Sequence, residues 1–529
     1  MKSAEEKLYE SLSPFELKNK LIDLAEDHTE RLMLNAGRGN PNWVATTPRE
    51  AFFQLGLFAV EETKRAFDLP GLGGSPEGKG AALRFEEFLK RNPAAPGISF
   101  LGQAYEYACR EIKLNADDFI GEMVDAIMGD HYPTPDRMLR NTTGIVRKYL
   151  DQELFNGNPP PGKFELFAVE GGTAAMAYIF NSLVENRLLH RGDRIAIGTP
   201  IFTPYIEIPR LNDYDFVELE VKQDENLTWQ FPDEEIEKLE DPSVKAFFLI
   251  NPSNPASVRV SESTLQKIAG LVTTKRKDLI ILTDDVYATF VNGFRSLASA
   301  APHNTILVYS YSKYFGATGW RLGVIALHEE NVLDRKIALL PEEDRKALHA
   351  RYEHVELDPD AMKMIERMVA DSRSVALHHT AGLSTPQQVM MALFSLFCLV
   401  DGKGEYKKAT QGIVKKRFRT LYDAVGIAVP DNEYMARYYA TIDVPAIAKA
   451  RYGDEFARFL VERNEPIDFV VRLAEEKSIV LMDGGGFDAP RMSVRVSLAN
   501  LPDEAYEKIG RGISDLLADY HRRWESDRH

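Results

Sequence analysis

The sequence predicts an α/β fold: a mostly parallel central sheet covered by helices, joined to a smaller α+β unit formed by the two ends of the chain. Three observations predict it. Between about 130 and 330, short continuous apolar runs alternate with helical stretches, the pattern of parallel strands buried on both faces. Residues 401–529 instead mix helices with isolated strand-like runs. At 529 residues, 44% hydrophobic and 27% charged, the chain has the material for a large core and an ordinary soluble surface.

Taken in order, residues 1–30 are charged with helical spacing and lead into Leu32-Met33-Leu34-Asn35, a short strand. It ends in the Gly- and Pro-punctuated turn Ala36-Gly37-Arg38-Gly39-Asn40-Pro41. Residues 49–66 have the spacing of an amphipathic helix, and 1–66 are assigned to the smaller unit. Loops rich in Gly and Pro, Leu69 to Gly80 and Asn92 to Gly97, punctuate a segment at 67–120. It reads as a helical insertion or lid of two or three helices. Residues 121–400 form the large unit, with strands predicted at Phe164–Val169, Arg194–Ile197, Ala246–Ile250, Leu279–Thr283, Thr305–Tyr309 and Gly323–Leu327. Within it, about 329–380 is highly charged with helical periodicity, as in Pro341-Glu342-Glu343-Asp344-Arg345-Lys346. That is the signature of a solvated helical hairpin. Residues 401–529 complete the smaller unit, with strands near Tyr438–Ile442, Ile479–Met482 and Ser493–Ser497.

The charge balance, 64 Lys+Arg against 80 Asp+Glu for a net −16, argues against nucleic-acid binding and against docking on an anionic membrane. An anionic ligand would need arginines of its own. Two cysteines, Cys109 and Cys398, make no disulfide framework, so a reducing cytoplasm is expected. The N-terminus MKSAEEKLYE has no apolar signal core, and no uncharged apolar run of membrane-spanning length occurs. No zinc-type or P-loop motif is present, and no metal is expected.

Four motifs stand at the ends of predicted strands, where ligands collect in open α/β sheets. Glu170-Gly171-Gly172-Thr173 is a glycine turn opening a helix, suited to phosphate but also to simple helix initiation. Asn251-Pro252-Ser253-Asn254-Pro255 is an Asx-type turn. Asp284-Asp285-Val286-Tyr287 offers a carboxylate to a protonated ring nitrogen and a hydroxyl to a phenolate oxygen. Ser310-Tyr311-Ser312-Lys313-Tyr314-Phe315-Gly316-Ala317-Thr318-Gly319-Trp320-Arg321-Leu322-Gly323 places a lysine among hydroxyls and glycines, as a Schiff-base amine needs. Arg321 and the serines make a second half of a phosphate site.

In this order the motifs resemble the fold-type I pyridoxal-phosphate enzymes of the class I/II aminotransferase superfamily, from about Asn35 to Asn500. The resemblance implies pyridoxal 5'-phosphate as cofactor and Lys313 as the catalytic Schiff-base lysine. It implies Asp284 as partner of the ring nitrogen, with Tyr287 and Asn254 on the ring oxygen. Gly172, Thr173, Ser310, Ser312 and Arg321 match the phosphate cradle. Phe202, in Pro200-Ile201-Phe202-Thr203-Pro204-Tyr205, matches the aromatic stacked on the ring, though a core Phe reads the same way. Tyr132, in His131-Tyr132-Pro133, matches a tyrosine that reaches the phosphate of a neighbouring subunit, which implies a homodimer. Arg495 matches the arginine that grips the substrate α-carboxylate. Arg38 has two readings, a substrate or gating contact and a surface arginine on a turn. Asn254-Pro255-Ala256-Ser257 departs from the usual Asn-Pro-Thr-Gly.

The length, the two insertions, and the strings Arg38-Gly39-Asn40-Pro41-Asn42-Trp43 and Glu170-Gly171-Gly172-Thr173 are similar to the bacterial L-aspartate 4-decarboxylases. That family implies β-decarboxylation of L-aspartate to L-alanine and CO2, side transaminase activity, and a larger homo-oligomer, a dodecamer built from dimers. The alternative is an aminotransferase using 2-oxoglutarate. A transcription regulator on the same fold would need a basic DNA-binding region ahead of position 30. The two enzyme activities share their early proton transfers. They part when the side-chain carboxylate leaves as CO2 or water releases a keto acid. A decarboxylase should hold the β-carboxylate loosely and exclude water, a task for which 67–120 is a candidate lid.

Overall fold

The computed structural model describes residues 3–10, 12–26, 33–202, 204–205, 207, 217–222, 229–373 and 382–528. Parts of three expected elements lie outside these residues: the end of 1–30, Leu32 of the first strand, and 374–380 of the second insertion.

Seven strands form the central sheet: β1 (Phe164–Val169), β2 (Arg194–Thr199), β3 (Val217–Lys222), β4 (Val244–Ile250), β5 (Ile280–Asp284), β6 (Thr305–Ser310) and β7 (Gly323–His328). Their order is β1-β7-β6-β5-β4-β2-β3. Only β7 runs antiparallel to its neighbours, β1 and β6. The other pairs are parallel. Every residue of β5, β6 and β7 is buried, because helices cover both faces and leave no side to alternate toward water. The α/β fold with a mostly parallel sheet is therefore as expected. The strand not anticipated is β3: Val217-Glu218-Leu219-Glu220-Val221 alternates apolar with acidic residues, since an edge strand needs no apolar run.

The smaller unit centres on a three-stranded antiparallel sheet, in which Ser493–Ser497 lies between Tyr439–Asp443 and Met482–Asp483. Leu34–Asn35 pairs in parallel with Ile479–Val480, and Leu17, Leu21, Ala25 and Ala36 share its core with the C-terminal helices. Helix Thr46–Ala66, expected with this unit, is built differently. Its buried residues Ala51, Leu55 and Phe58 belong to the larger core.

The segment 67–120 contributes helices Ala81–Arg91 and Ile98–Arg110 and the start of Ala116–Met128. Phe85 and Phe88 pack on Phe58, and Phe100 meets Phe397 edge-on at 5.6 Å. Arg84 clasps the buried Glu62 carboxylate at 2.6 Å. These helices are thus anchored in the large core, and none of their residues lines the cavity described below. In the second insertion, helix Glu342–Tyr352 is mostly solvated but tethered by Tyr352, whose hydroxyl donates to the buried Asp371 at 2.9 Å. No helix of the described residues is long and apolar enough to cross a membrane.

Candidate active site

Because β1, β2, β4, β5 and β6 point the same way, their carboxyl ends, with the start of β7, converge on one edge of the sheet. A cavity of about 420 Å³ opens there, a size suited to a cofactor with a small substrate. Gly172, Thr173, Phe202, Asn254, Asp284, Tyr287, Ser310, Ser312, Lys313, Arg321, Arg38 and Arg495 all line it. Tyr132 does not; it is 64% exposed on the surface of the chain.

Lys313 donates from Nζ to the Gly39 carbonyl at 3.0 Å. The approach requires glycine: a Cβ on Gly39 would stand 3.2 Å from that nitrogen and 2.5 Å from the Tyr439 hydroxyl. Asp284 closes β5, 5% exposed. It accepts from Val286 N–H at 3.1 Å and from the Tyr205 hydroxyl. Burial pushes its carboxyl up to about 6, and the Tyr205 bond pulls it back. Such a group is shaped to hold a proton on a basic ring nitrogen across a short gap.

At the other end of the cavity, Gly171 (φ +87) precedes helix Gly172–Glu185, whose first turn carries no side-chain cap. A Cβ at Gly171 would lie 2.6 Å from the Arg321 guanidinium. Among the described residues, Arg321 (φ +55) donates to the carbonyls of Thr318 and Glu170, at 2.9 and 3.2 Å. The Ser310 and Ser312 hydroxyls lie 3.0 Å apart. Uncapped helix N–H groups, two hydroxyls and an arginine paired with no carboxylate among the described residues fit a phosphate.

Arg495, in the middle strand of the small sheet, is 2% exposed. It donates to the Gly37 carbonyl at 2.9 Å and to Asn254 Oδ1 at 3.3 Å. Its Nε has no partner, and no carboxylate among the described residues pairs with it. Lys18 and the exposed Arg38 join it. Burial, then the Arg38 charge, push the Lys18 ammonium down. Three cations at one end of a cavity in a protein of net charge −16 point to an anion with more than one carboxylate.

The comparisons agree with this geometry. The profile of the family described as aminotransferase class I and II matches residues 168–513. The chain belongs to the class I and II aminotransferase family. A bifunctional aspartate aminotransferase and L-aspartate beta-decarboxylase of a Pseudomonas species is 48% identical over 98% of this chain and 98% of that protein. Solved aminotransferases share the fold. The aromatic aminotransferase of Pyrococcus horikoshii has a TM-score of 0.58 at 17% identity, covering 94% of this chain and 99% of its own. The Thermus thermophilus aspartate aminotransferase with maleate has a TM-score of 0.56 at 17% identity, covering 98% and 99%. Pyridoxal 5'-phosphate is the cofactor of this aminotransferase family, and the amine, the buried carboxylate and the phosphate cradle fit it.

Several lining residues went unread in the sequence, among them Phe15 and Lys18 on helix Pro14–Glu26, Gly39, Tyr205 and Tyr439. Tyr205 follows Phe202 by one helical turn, a spacing that could have been noticed. Nothing local marks Lys18.

Asp285, behind the site, gives a pH prediction. It is fully buried and accepts from Thr283 Oγ1 at 2.6 Å. Burial pushes its carboxyl up to about 7, against 3.8 unfolded. A carboxyl raised in the folded state contributes stability that is present below the unfolded value and lost as pH rises through the folded one. Asp285→Asn removes the titration, so its melting temperature should gain on the parent's from about pH 4 to about pH 8. Thermal melts of both cofactor-free proteins check this; a constant offset would refute it.

Proposed function

We propose that the protein removes the β-carboxylate of L-aspartate as CO2 and releases L-alanine, with aspartate transamination as a side reaction. The reading rests on the end-to-end likeness to the bifunctional Pseudomonas protein, supported by a cavity whose cations outnumber what one carboxylate needs. Bound in this cavity, pyridoxal phosphate supplies an electron sink for charge released at the substrate.

The side chains divide the remaining work. Lys313 holds the cofactor covalently and moves the proton at the substrate Cα. Asp284, oriented by Tyr205, keeps the ring nitrogen protonated, and Tyr287 and Asn254 hold the ring oxygen. Gly172, Thr173, Ser310, Ser312 and Arg321 bind the phosphate, and Phe202 covers the ring. Arg495 binds the α-carboxylate. Arg38, exposed at the cavity mouth, takes the substrate side and not the bare surface. The β-carboxylate then faces the looser, wetter cations, Lys18 and Arg38, which oppose its loss less than a buried arginine fork would.

A homodimer is the least working unit, with exposed Tyr132 reaching the neighbouring subunit's phosphate. Larger assembly, up to a dodecamer, is supported by an apolar outer face at Phe53, Leu57, Phe67, Leu69 and Leu72. The two free cysteines fit a cytoplasmic location.

The test is cofactor-loaded protein with L-aspartate and no keto-acid acceptor. Sustained, equimolar alanine and CO2 is expected. A single burst of oxaloacetate that continues only with 2-oxoglutarate would make it an aminotransferase.

A further inference from the structure

We propose that Tyr439 is the acid that delivers a proton to the substrate Cβ after CO2 has left. The assignment rests on the decarboxylase reading above. It answers a need that transamination does not have. When the Cβ–carboxylate bond breaks, CO2 departs without the bonding electrons, and the pair left at Cβ must be captured by a proton before alanine can form. A site that performs both reactions therefore needs one more acid than a transaminase, placed next to Cα.

The geometry leaves one residue for that position. Lys313 serves Cα and Arg495 serves the α-carboxylate, so Cβ lies beside the amine and the guanidinium. The Tyr439 hydroxyl and Lys313 Nζ both crowd the point where a Gly39 side chain would be, at 2.5 and 3.2 Å. The Arg495 guanidinium sits over the Tyr439 ring at 4.4 Å. The other lining hydroxyls are committed elsewhere: Tyr205 to Asp284, Tyr287 to the ring oxygen, Ser310 and Ser312 to each other at the phosphate end, and Thr173 and Thr318 beside them around Arg321.

The same surroundings suit the proton transfer. The Tyr439 O–H bond breaks, a C–H bond forms at Cβ, and a phenolate remains. The Arg495 charge over the ring stabilises that phenolate, whose oxygen lies 3.0 Å from the Tyr287 hydroxyl. Water returns the proton after alanine leaves, which accounts for the one proton that the overall reaction consumes.

A second observation fixes the residue in place. Ser257, at φ +61, accepts at Oγ from the backbone N–H groups of Tyr438 and Tyr439, at 2.9 and 3.3 Å. A serine held in the left-handed region costs conformational energy, and here its hydroxyl ties the turn bearing Asn254 to the strand bearing Tyr439.

The experiment compares the parent and Tyr439→Phe, both cofactor-loaded. It measures alanine release without acceptor, oxaloacetate release with 2-oxoglutarate, and maleate affinity read from the cofactor's absorbance. Alanine release should fall about 10²-fold or more, much further than either transamination or maleate affinity. Parallel loss of both activities, or undiminished alanine release, would overturn the assignment. A parent that forms no alanine would overturn the decarboxylase reading itself.

Discussion

Lys313→Ala is expected to stop turnover almost completely, by on the order of 10⁴-fold or more. Two functions vanish with one amine: the covalent hold on the cofactor and the proton transfer at Cα. Nothing nearby substitutes. Lys18 lines the same cavity, but it rises from the N-terminal helix and its ammonium lies over the Phe15 ring, 5.4 Å from its centroid. The phosphate cradle and Asp284 remain, so the variant should still bind pyridoxal phosphate, now removable by dialysis. Borohydride, which fixes the cofactor to the parent, should fail to fix it here. Aspartate turnover and cofactor retention after borohydride are the two measurements, and a variant that still fixes the cofactor would reassign the lysine.

Arg495→Lys and Arg495→Ala should each lower kcat/KM for aspartate by about 10²–10³-fold, the scale for losing one partner of a desolvated charge pair. Lysine should not rescue: it offers a point charge where the planar fork is held by Gly37 O and Asn254 Oδ1. The opposite sign is expected for stability. Without substrate, the guanidinium is buried with no carboxylate partner among the described residues, and burial pushes its pKa down. Arg495→Met should therefore melt no lower than the parent, since a buried unpaired charge is costly. Steady-state kinetics and thermal melts check both halves. Unchanged kcat/KM would remove Arg495 from the substrate.

The sheet was legible because its central strands are continuous apolar runs that end in chemistry-bearing turns. Asp284, Lys313 and Asn254 could be read where they stand for that reason. Edge strand β3 was not, because its alternating residues carry no buried-strand signal. Helix Thr46–Ala66 shows a similar limit: periodicity reveals an apolar face but not which core that face joins. Lys18 and Phe15 reach the cavity only because Leu34–Asn35 pairs with Ile479–Val480 and draws the N-terminal helix alongside. No local pattern encodes that pairing. Tyr439 was inside a predicted strand, yet its function depends on neighbours from three distant segments.

The Gly39 carbonyl accepts from Lys313 Nζ and also from the Tyr438 hydroxyl at 2.9 Å. The segment around it passes from Ala36 in the smaller core to Ala45 in the larger one. One oxygen atom is thus a pivot shared by the catalytic amine and the joint between the two halves. Any rocking of the smaller half turns that pivot, and the resting place of the lysine nitrogen turns with it. A closing movement of the smaller half would therefore re-aim the amine in the same stroke.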